Sequence, residues 1–76
     1  MAVNAYVMLN VEPARTQAVL DRLKALPGAT VHEVLGPYDI IVELGATTQE
    51  DLADVLRTKI RTIVGITSTV TCTWLA

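Results

Sequence analysis

Few side chains in this sequence could do chemistry, and they do not form a catalytic set. His32 is the single histidine and Cys72 the single cysteine. Nucleophilic catalysis needs a nucleophile, a base and an orienting group that converge on one point. Zinc normally takes three or four protein ligands, so His32 beside Glu33 or Glu12 is only a weak metal candidate. We therefore predict no enzyme, no cofactor and no resident metal, and we expect Cys72 to pack as a small hydrophobic residue.

The strongest local signal is the sequence Gly-Pro-Tyr-Asp at 36–39, directly before the apolar residues 40–42. Glycine allows backbone conformations that expose amide groups, and an aspartate beside a turn can hydrogen-bond to it. One hypothesis is that Asp39 caps its own turn. The other is that Asp39 and the backbone of the turn hold a small zwitterion such as an amino acid, with Tyr38 adding packing or a hydroxyl group. The two are compatible, because a binding site needs a rigid turn.

Hydrophobic periodicity predicts the elements that position this turn. Apolar residues alternate as in strands over 3–11, 30–35, 38–44 and 66–74. A first helix is predicted from Pro13 to Leu26, because proline fits the first helical turn and Gly28 suits the left-handed residue that ends a helix. Gly36 and Pro37 predict a tight connection, so the second and third strands should form an antiparallel hairpin.

A second helix follows the third strand. Thr47 and Glu50 are spaced as a capping box at its start. Its buried stripe is predicted to be Leu52, Val55, Leu56, Ile60 and Ile63. The order is therefore βαββαβ, and residues 26–31 and 63–68 echo each other as helix end, glycine and strand start. This order predicts an α+β, ferredoxin-like fold, with a four-stranded antiparallel sheet and two helices on one face.

The length and composition predict one domain, residues 1–76, that associates with itself. The chain is 51% hydrophobic, although a chain this short hides only about 60% of the surface that its unfolded form exposes. The sheet face without helices is predicted to carry Tyr6, Met8, Ile41 and the threonines of the fourth strand. A contiguous patch of this kind marks an interaction surface, so we predict a dimer with the two sheets packed together.

The charge pattern excludes several kinds of partner. Six basic and eight acidic residues give a net charge of −2, which has the wrong sign for binding a phosphate backbone. No stretch approaches the roughly 18 unbroken apolar residues of a membrane span, and no basic segment precedes the first apolar run, as a signal peptide would require. We therefore expect a cytoplasmic protein that binds neither nucleic acid nor membrane directly.

Three motifs carry a family resemblance. They are the Gly-x-Tyr-Asp turn, the Pro-Gly-x-x-Val helix exit at 27–31 and the Val-Gly-Ile-x-x-Thr-x-Thr ending at 64–71. In their order and spacing, over essentially the whole chain, they resemble the effector-binding domain of the Lrp/AsnC (feast/famine) regulators, also called the RAM module (regulation of amino-acid metabolism). That family places a DNA-binding helix-turn-helix before this domain. None is recognised here, so we expect the stand-alone form.

The resemblance implies a dimeric α/β barrel, assembled further into a ring of dimers, that binds an amino-acid effector between dimers. Its site residues, carried over one by one, are Gly36, Pro37, Tyr38, Asp39, Thr67, Thr69 and Thr71. It therefore implies an effector-sensing regulatory module that works as a homo-oligomer. Association with a full-length regulator of the same family is a further hypothesis.

Rival βαββαβ families fit the sequence less well. An ACT domain usually has its ligand glycine after the first strand, where this chain has Glu12 and Pro13. An RNA-recognition motif needs stacking aromatics among basic residues, whereas this acidic chain offers Tyr6 and Tyr38. A heavy-metal domain needs a Cys-x-x-Cys motif in the first loop. Two alternatives stay open: a small dimeric α/β-barrel enzyme with His32 and Tyr6 lining the barrel, and a purely structural or partner-binding domain.

Overall fold

The computed structural model describes residues 3–74. The strands are β1 (Val3–Val11), β2 (Thr30–Glu33), β3 (Ile40–Ala46) and β4 (Ile66–Trp74), and the helices are α1 (Thr16–Lys24) and α2 (Gln49–Val55). A 3-10 turn (Pro13–Arg15) leads into α1, and a π-helical turn (Leu56–Ile60) continues α2. The strands pair antiparallel in the order β2-β3-β1-β4. The predicted ferredoxin-like α+β fold is confirmed.

The core lies between the two helices and one face of the sheet, which we call the helix side. Its buried residues are Ala5, Val7, Leu9, Val11, Val19, Leu20, Leu23, Ile40, Val42, Leu44, Leu52, Ile60 and Ile63. The predicted alternation of β1 and the predicted apolar stripe of the second helical segment are confirmed. We call the other side of the sheet the open face, because no helix or strand within residues 3–74 covers it.

The side of β4 that was predicted to lie on the open face lies on the helix side, and the other side lies on the open face. Thr71 lies opposite Val7 and Thr69 opposite Leu9, so both threonines belong to the helix side. The pairing shifts between Asn10 and Val11, and this bulge leaves Thr67 as the extra residue. The threonines are therefore not on the open face. That face instead receives Ser68, Val70, Cys72 and Trp74.

The connection between β2 and β3 is wider than the tight turn predicted. Glu33 pairs with Ile40, so the loop spans residues 34–39. The backbone N–H of Val34 donates to the carbonyl oxygen of Asp39 at 3.0 Å and closes the base of the loop. The predicted antiparallel pairing of the two strands is confirmed.

Position 65 must be a glycine, both because of its backbone conformation and because of its close neighbours. Its φ is +108°, and a Cβ atom placed on it would lie 2.6 Å from the Cβ of Arg15. Its carbonyl oxygen accepts a hydrogen bond of 2.8 Å from the backbone N–H of Glu12. The link from α2 to β4 thus packs directly on the start of α1, and only a residue without a side chain fits there.

The helix α2 begins one residue later than the predicted capping box. Thr48, and not Thr47, is the N-cap, because its hydroxyl oxygen accepts from the backbone N–H of Asp51 at 3.1 Å. The sequence Thr-Thr-Gln-Glu-Asp contains two overlapping Thr-x-x-acidic patterns. Since β3 extends to Ala46, the turn before the helix starts later and the second pattern is used.

A Thr48→Ala substitution is expected to lower the free energy of unfolding by about 1 kcal/mol, the usual cost of losing an N-cap hydroxyl. Thr47→Ala is the matched control, because its side chain has no part in the cap; a change within about 0.5 kcal/mol is expected there. Urea denaturation followed by circular dichroism measures both. Equal losses in the two variants would contradict the observed cap.

Candidate functional site

The turn at 36–39 is tied to the end of β1 through Asp39. Its carboxylate Oδ2 accepts a hydrogen bond of 3.0 Å from the backbone N–H of Val11, 28 residues away in sequence. The backbone N–H of Asp39 donates to the carbonyl oxygen of Leu9 at 2.9 Å. Asp39 therefore joins three segments: β1, the base of the loop at Val34, and the start of β3. It caps a neighbouring strand and not its own turn.

The rest of the turn is accessible. Gly36 and Pro37 are exposed, Tyr38 is half-buried, and Asp39 is exposed although its Oδ2 is engaged. A carboxylate can accept about four hydrogen bonds in total, so the bond to Val11 does not use up its capacity. The turn thus presents a rigidly held negative charge at one end of the sheet.

The predicted threonines are only partly brought near this turn. Thr67 lies at the bulge beside Val11, at the same end of the sheet as Asp39 but on the other flank of β1. Two strand spacings separate them, roughly 10 Å. Thr69 and Thr71 lie progressively further along β4 and are half-buried on the helix side. Within one copy of the chain, Asp39 and the threonines are therefore too far apart to hold one small ligand.

The open face carries an apolar cluster, which we call the open-face cluster. Its members are Tyr6, Met8, Ile41, Val70 and Trp74. The rings of Tyr6 and Trp74 stack with their centroids 4.4 Å apart and an angle of 25° between the planes. Tyr6, Met8 and Ile41 were predicted; Val70 and Trp74 were missed, because alternation on β4 does not reveal which side the helices cover. Cys72, expected to be packed, is exposed on the same face.

His32 also points to the open face. Its Nε2 lies 3.7 Å from Oε2 of Glu43, and both side chains are about half exposed. Glu33, the partner considered from the sequence, is on the helix side of β2 because it pairs with Ile40. Within residues 3–74, no three His, Cys, Asp or Glu side chains come close enough to hold a metal ion. No helix in that range is long and apolar enough to cross a membrane.

Comparison with known proteins places this chain in a family. The family model described as the Lrp/AsnC ligand binding domain matches residues 4–76. The solved structure of FFRP-DM1 is 28% identical, with a TM-score of 0.91 over 96% of this chain and 99% of that one. AsnC from E. coli is also 28% identical, with a TM-score of 0.89, and this chain spans 51% of its length.

A more distant structure shows the same fold. The Neisseria meningitidis transcriptional regulator NMB0573, solved as a complex with L-Met, is 9% identical and has a TM-score of 0.88 over 97% of this chain and 50% of that one. No protein of curated function matches the chain significantly. The match of the family model over nearly the whole sequence shows that the chain belongs to the Lrp/AsnC ligand-binding domain family.

Proposed function

We propose that this chain is an amino-acid-binding regulatory module that acts as a homo-oligomer. The observation that carries the proposal is the match of residues 4–76 to a ligand-binding domain of regulators. Amino acids are the ligand class to test, because the Neisseria meningitidis regulator of the same fold was crystallised with L-Met. A barrel enzyme is disfavoured because the matching family model describes a ligand-binding domain of regulators.

The 36–39 turn is the proposed place of the effector. The carboxylate of Asp39 would accept from the ammonium group of the amino acid, and the exposed backbone at Gly36 and Pro37 would meet its other polar atoms. Thr67 is too far away to complete the site within one copy. We therefore propose that the site is completed by a neighbouring copy, in which Thr67, with Thr69 and Thr71 behind it, faces the turn.

The open-face cluster supports the homo-oligomer. Tyr6 and Val70 are each about two-fifths exposed, at 40% and 41%, and they adjoin further apolar side chains. A contiguous exposed apolar patch of this kind is typical of an interface. We propose that a second copy covers it, sheet against sheet. The same surface would also receive the equivalent domain of a full-length regulator, such as one built like AsnC.

A thermal-shift panel of the common amino acids tests the proposed function. A ligand that binds only the folded state raises stability by RT ln(1 + [L]/Kd). At least one amino acid at millimolar concentration is expected to raise the melting temperature. No shift with any of them would refute the sensing function.

An Asp39→Asn variant is expected to lose most of that ligand-induced shift while its own melting temperature stays close to the parent value. Asparagine keeps an oxygen that can accept from the N–H of Val11, but it lacks the charge that would pair with an ammonium group. Asp39→Ala removes both, and leaving the amide of Val11 without a partner costs about 1–3 kcal/mol of stability.

The matched control for these variants is Asp21→Asn, which changes the same charge on the outer surface of α1, where Asp21 only accepts from the side chain of Gln17. The full ligand-induced shift is expected in this control. If Asp39→Asn also keeps the full shift, Asp39 is not part of the binding site.

A further inference from the structure

The open face carries a pair of ionisable side chains beside its apolar cluster. His32 on β2 and Glu43 on β3 are neighbours there, with the ring Nε2 3.7 Å from the carboxylate Oε2. His32 lies directly opposite Ile41, and Glu43 lies directly opposite Tyr6. Because Ile41 and Tyr6 belong to the open-face cluster, the pair borders the surface that a second copy is proposed to cover.

The pair is loose and half exposed in the single chain. The side chains of His32 and Glu43 are 52% and 40% exposed, and their separation is longer than a hydrogen bond. Water therefore solvates both groups, and an exposed pair of this kind contributes little to folding stability. A second sheet packed on the open face would remove much of that water. The charge of the pair then affects assembly far more than it affects folding.

The strands offer no lysine or arginine to neutralise Glu43. The six lysines and arginines of the chain lie between 15 and 24 or between 57 and 61, outside all four strands. A two-fold dimer brings the same surface from both copies, so the sheet of the second copy adds no lysine or arginine either. Among the strand residues, only His32 can therefore become a cation beside this carboxylate.

The other ionisable side chains around the pair, within residues 3–74, do not take over this role. Tyr6 on β1 and Cys72 on β4 share the open face, but phenol and thiol groups ordinarily titrate above about pH 8 and never become cations. Glu33, the neighbour of His32 in the chain, points to the helix side because it pairs with Ile40. Histidine is the side chain that ordinarily changes its charge between about pH 5 and 8.

We propose that the His32–Glu43 pair makes the proposed sheet-on-sheet dimer, on which this inference rests, tighter in mildly acidic than in mildly basic solution. With a neutral ring, closing the interface would bury the carboxylate of Glu43 unpaired, which is strongly unfavourable. With a protonated ring, the pair has no net charge. The dimer therefore binds more protons than two separate chains do, and by linkage its dissociation constant rises as the pH rises.

The dissociation constant of the dimer at pH 6.0 and at pH 8.0, at one ionic strength, tests the proposal. Trp74 is the single tryptophan of the chain and lies on the same face, so its emission is followed on serial dilution and sedimentation velocity confirms the masses. If the dimer is too tight to dissociate, the same low urea concentration is added at both pH values. Each proton taken up can change the constant by up to about tenfold per pH unit.

We expect the dissociation constant of the parent to be at least about tenfold higher at pH 8.0 than at pH 6.0. An equal constant at the two pH values, or a lower one at pH 8.0, would overturn the pH dependence and leave the homo-oligomer standing. A monomer at both pH values would overturn the pH dependence together with the proposed homo-oligomer.

Three variants assign the effect to the pair. His32→Gln cannot be protonated, so its dissociation constant is expected to be the same at both pH values and close to that of the parent at pH 8.0. Glu43→Gln is expected to reverse the pH dependence, because a protonated His32 would then be buried without a partner. Glu33→Gln is the matched control in the same hairpin and is expected to behave as the parent. Parent-like pH dependence in His32→Gln or in Glu43→Gln would overturn the assignment.

Discussion

A Val70→Arg variant is expected to behave as a monomer in light scattering, at concentrations where the parent chain forms a dimer or a larger assembly. Val70 is 41% exposed on the open face and lies opposite Met8. In the proposed sheet-on-sheet dimer it becomes buried, and an unpaired guanidinium group in such an interface costs several kcal/mol. A two-fold dimer places the new charge twice in one interface, so the two copies repel each other as well.

The matched control is Thr73→Arg. Thr73 is also exposed and also lies on β4, but it belongs to the helix side because it pairs with Ala5. This variant adds the same charge to the same strand and is expected to keep the mass of the parent assembly. If both variants stay assembled, or if the parent itself scatters as a monomer at micromolar concentration, the open face is not the dimer interface.

A Gly65→Ala variant is expected to lose roughly 2–4 kcal/mol of unfolding free energy, from left-handed backbone strain and from overpacking against Arg15. A single core in a chain this short rarely supplies more than about 3–5 kcal/mol. A large fraction of the variant is therefore expected to be unfolded at room temperature. Urea denaturation followed by circular dichroism measures the loss. The variant and the parent are compared at one fixed protein concentration, because the stability of an oligomer depends on protein concentration.

Gly28→Ala separates the two causes. Gly28 also has a positive φ, +77°, but a Cβ atom on it would meet nothing within 4 Å. The expected loss is therefore only the conformational part, roughly 1–2 kcal/mol. Equal losses at the two glycines would show that the close approach of Arg15 to Gly65 contributes nothing.

The strand β1 and the two helices are the part of the fold that could be predicted from the sequence, because each has one side buried in the core. β1 has a buried side and a mixed side, so its alternation identifies its inner residues, such as Val7 and Leu9, without ambiguity. The helices likewise show their apolar stripes. Their ends were predicted too late, because the first helix ends at Lys24 and the second helical segment at Ile60, so that Gly28 and Gly65 lie in the loops that follow. These signals are local, since each depends on residues that are close in the chain.

The parts that could not be predicted depend on pairing between distant segments. One side of β4 is all threonine and the other is mostly apolar, so the sequence favours the apolar side for the core. Only the register with β1 shows that Thr69 faces the helices and Val70 the open face. The bulge at Thr67 also interrupts the alternation. Asp39 was recognised as important, but its partner, the amide of Val11, is 28 residues away and leaves no local signal. Of the proposed effector site, the sequence indicates the turn but not what completes it.

The hydrogen bond between Asp39 and Val11 has a consequence for hydrogen exchange. Val11 is a buried residue at the end of β1, yet its amide proton is held by the side chain of an exposed residue on another segment. Exchange of such a proton needs only a local opening of the loop, whereas amides deep in the sheet exchange through larger unfolding events. The protection factor of the Val11 amide is therefore expected to report the closure of the 36–39 turn, separately from the stability of the rest of the domain.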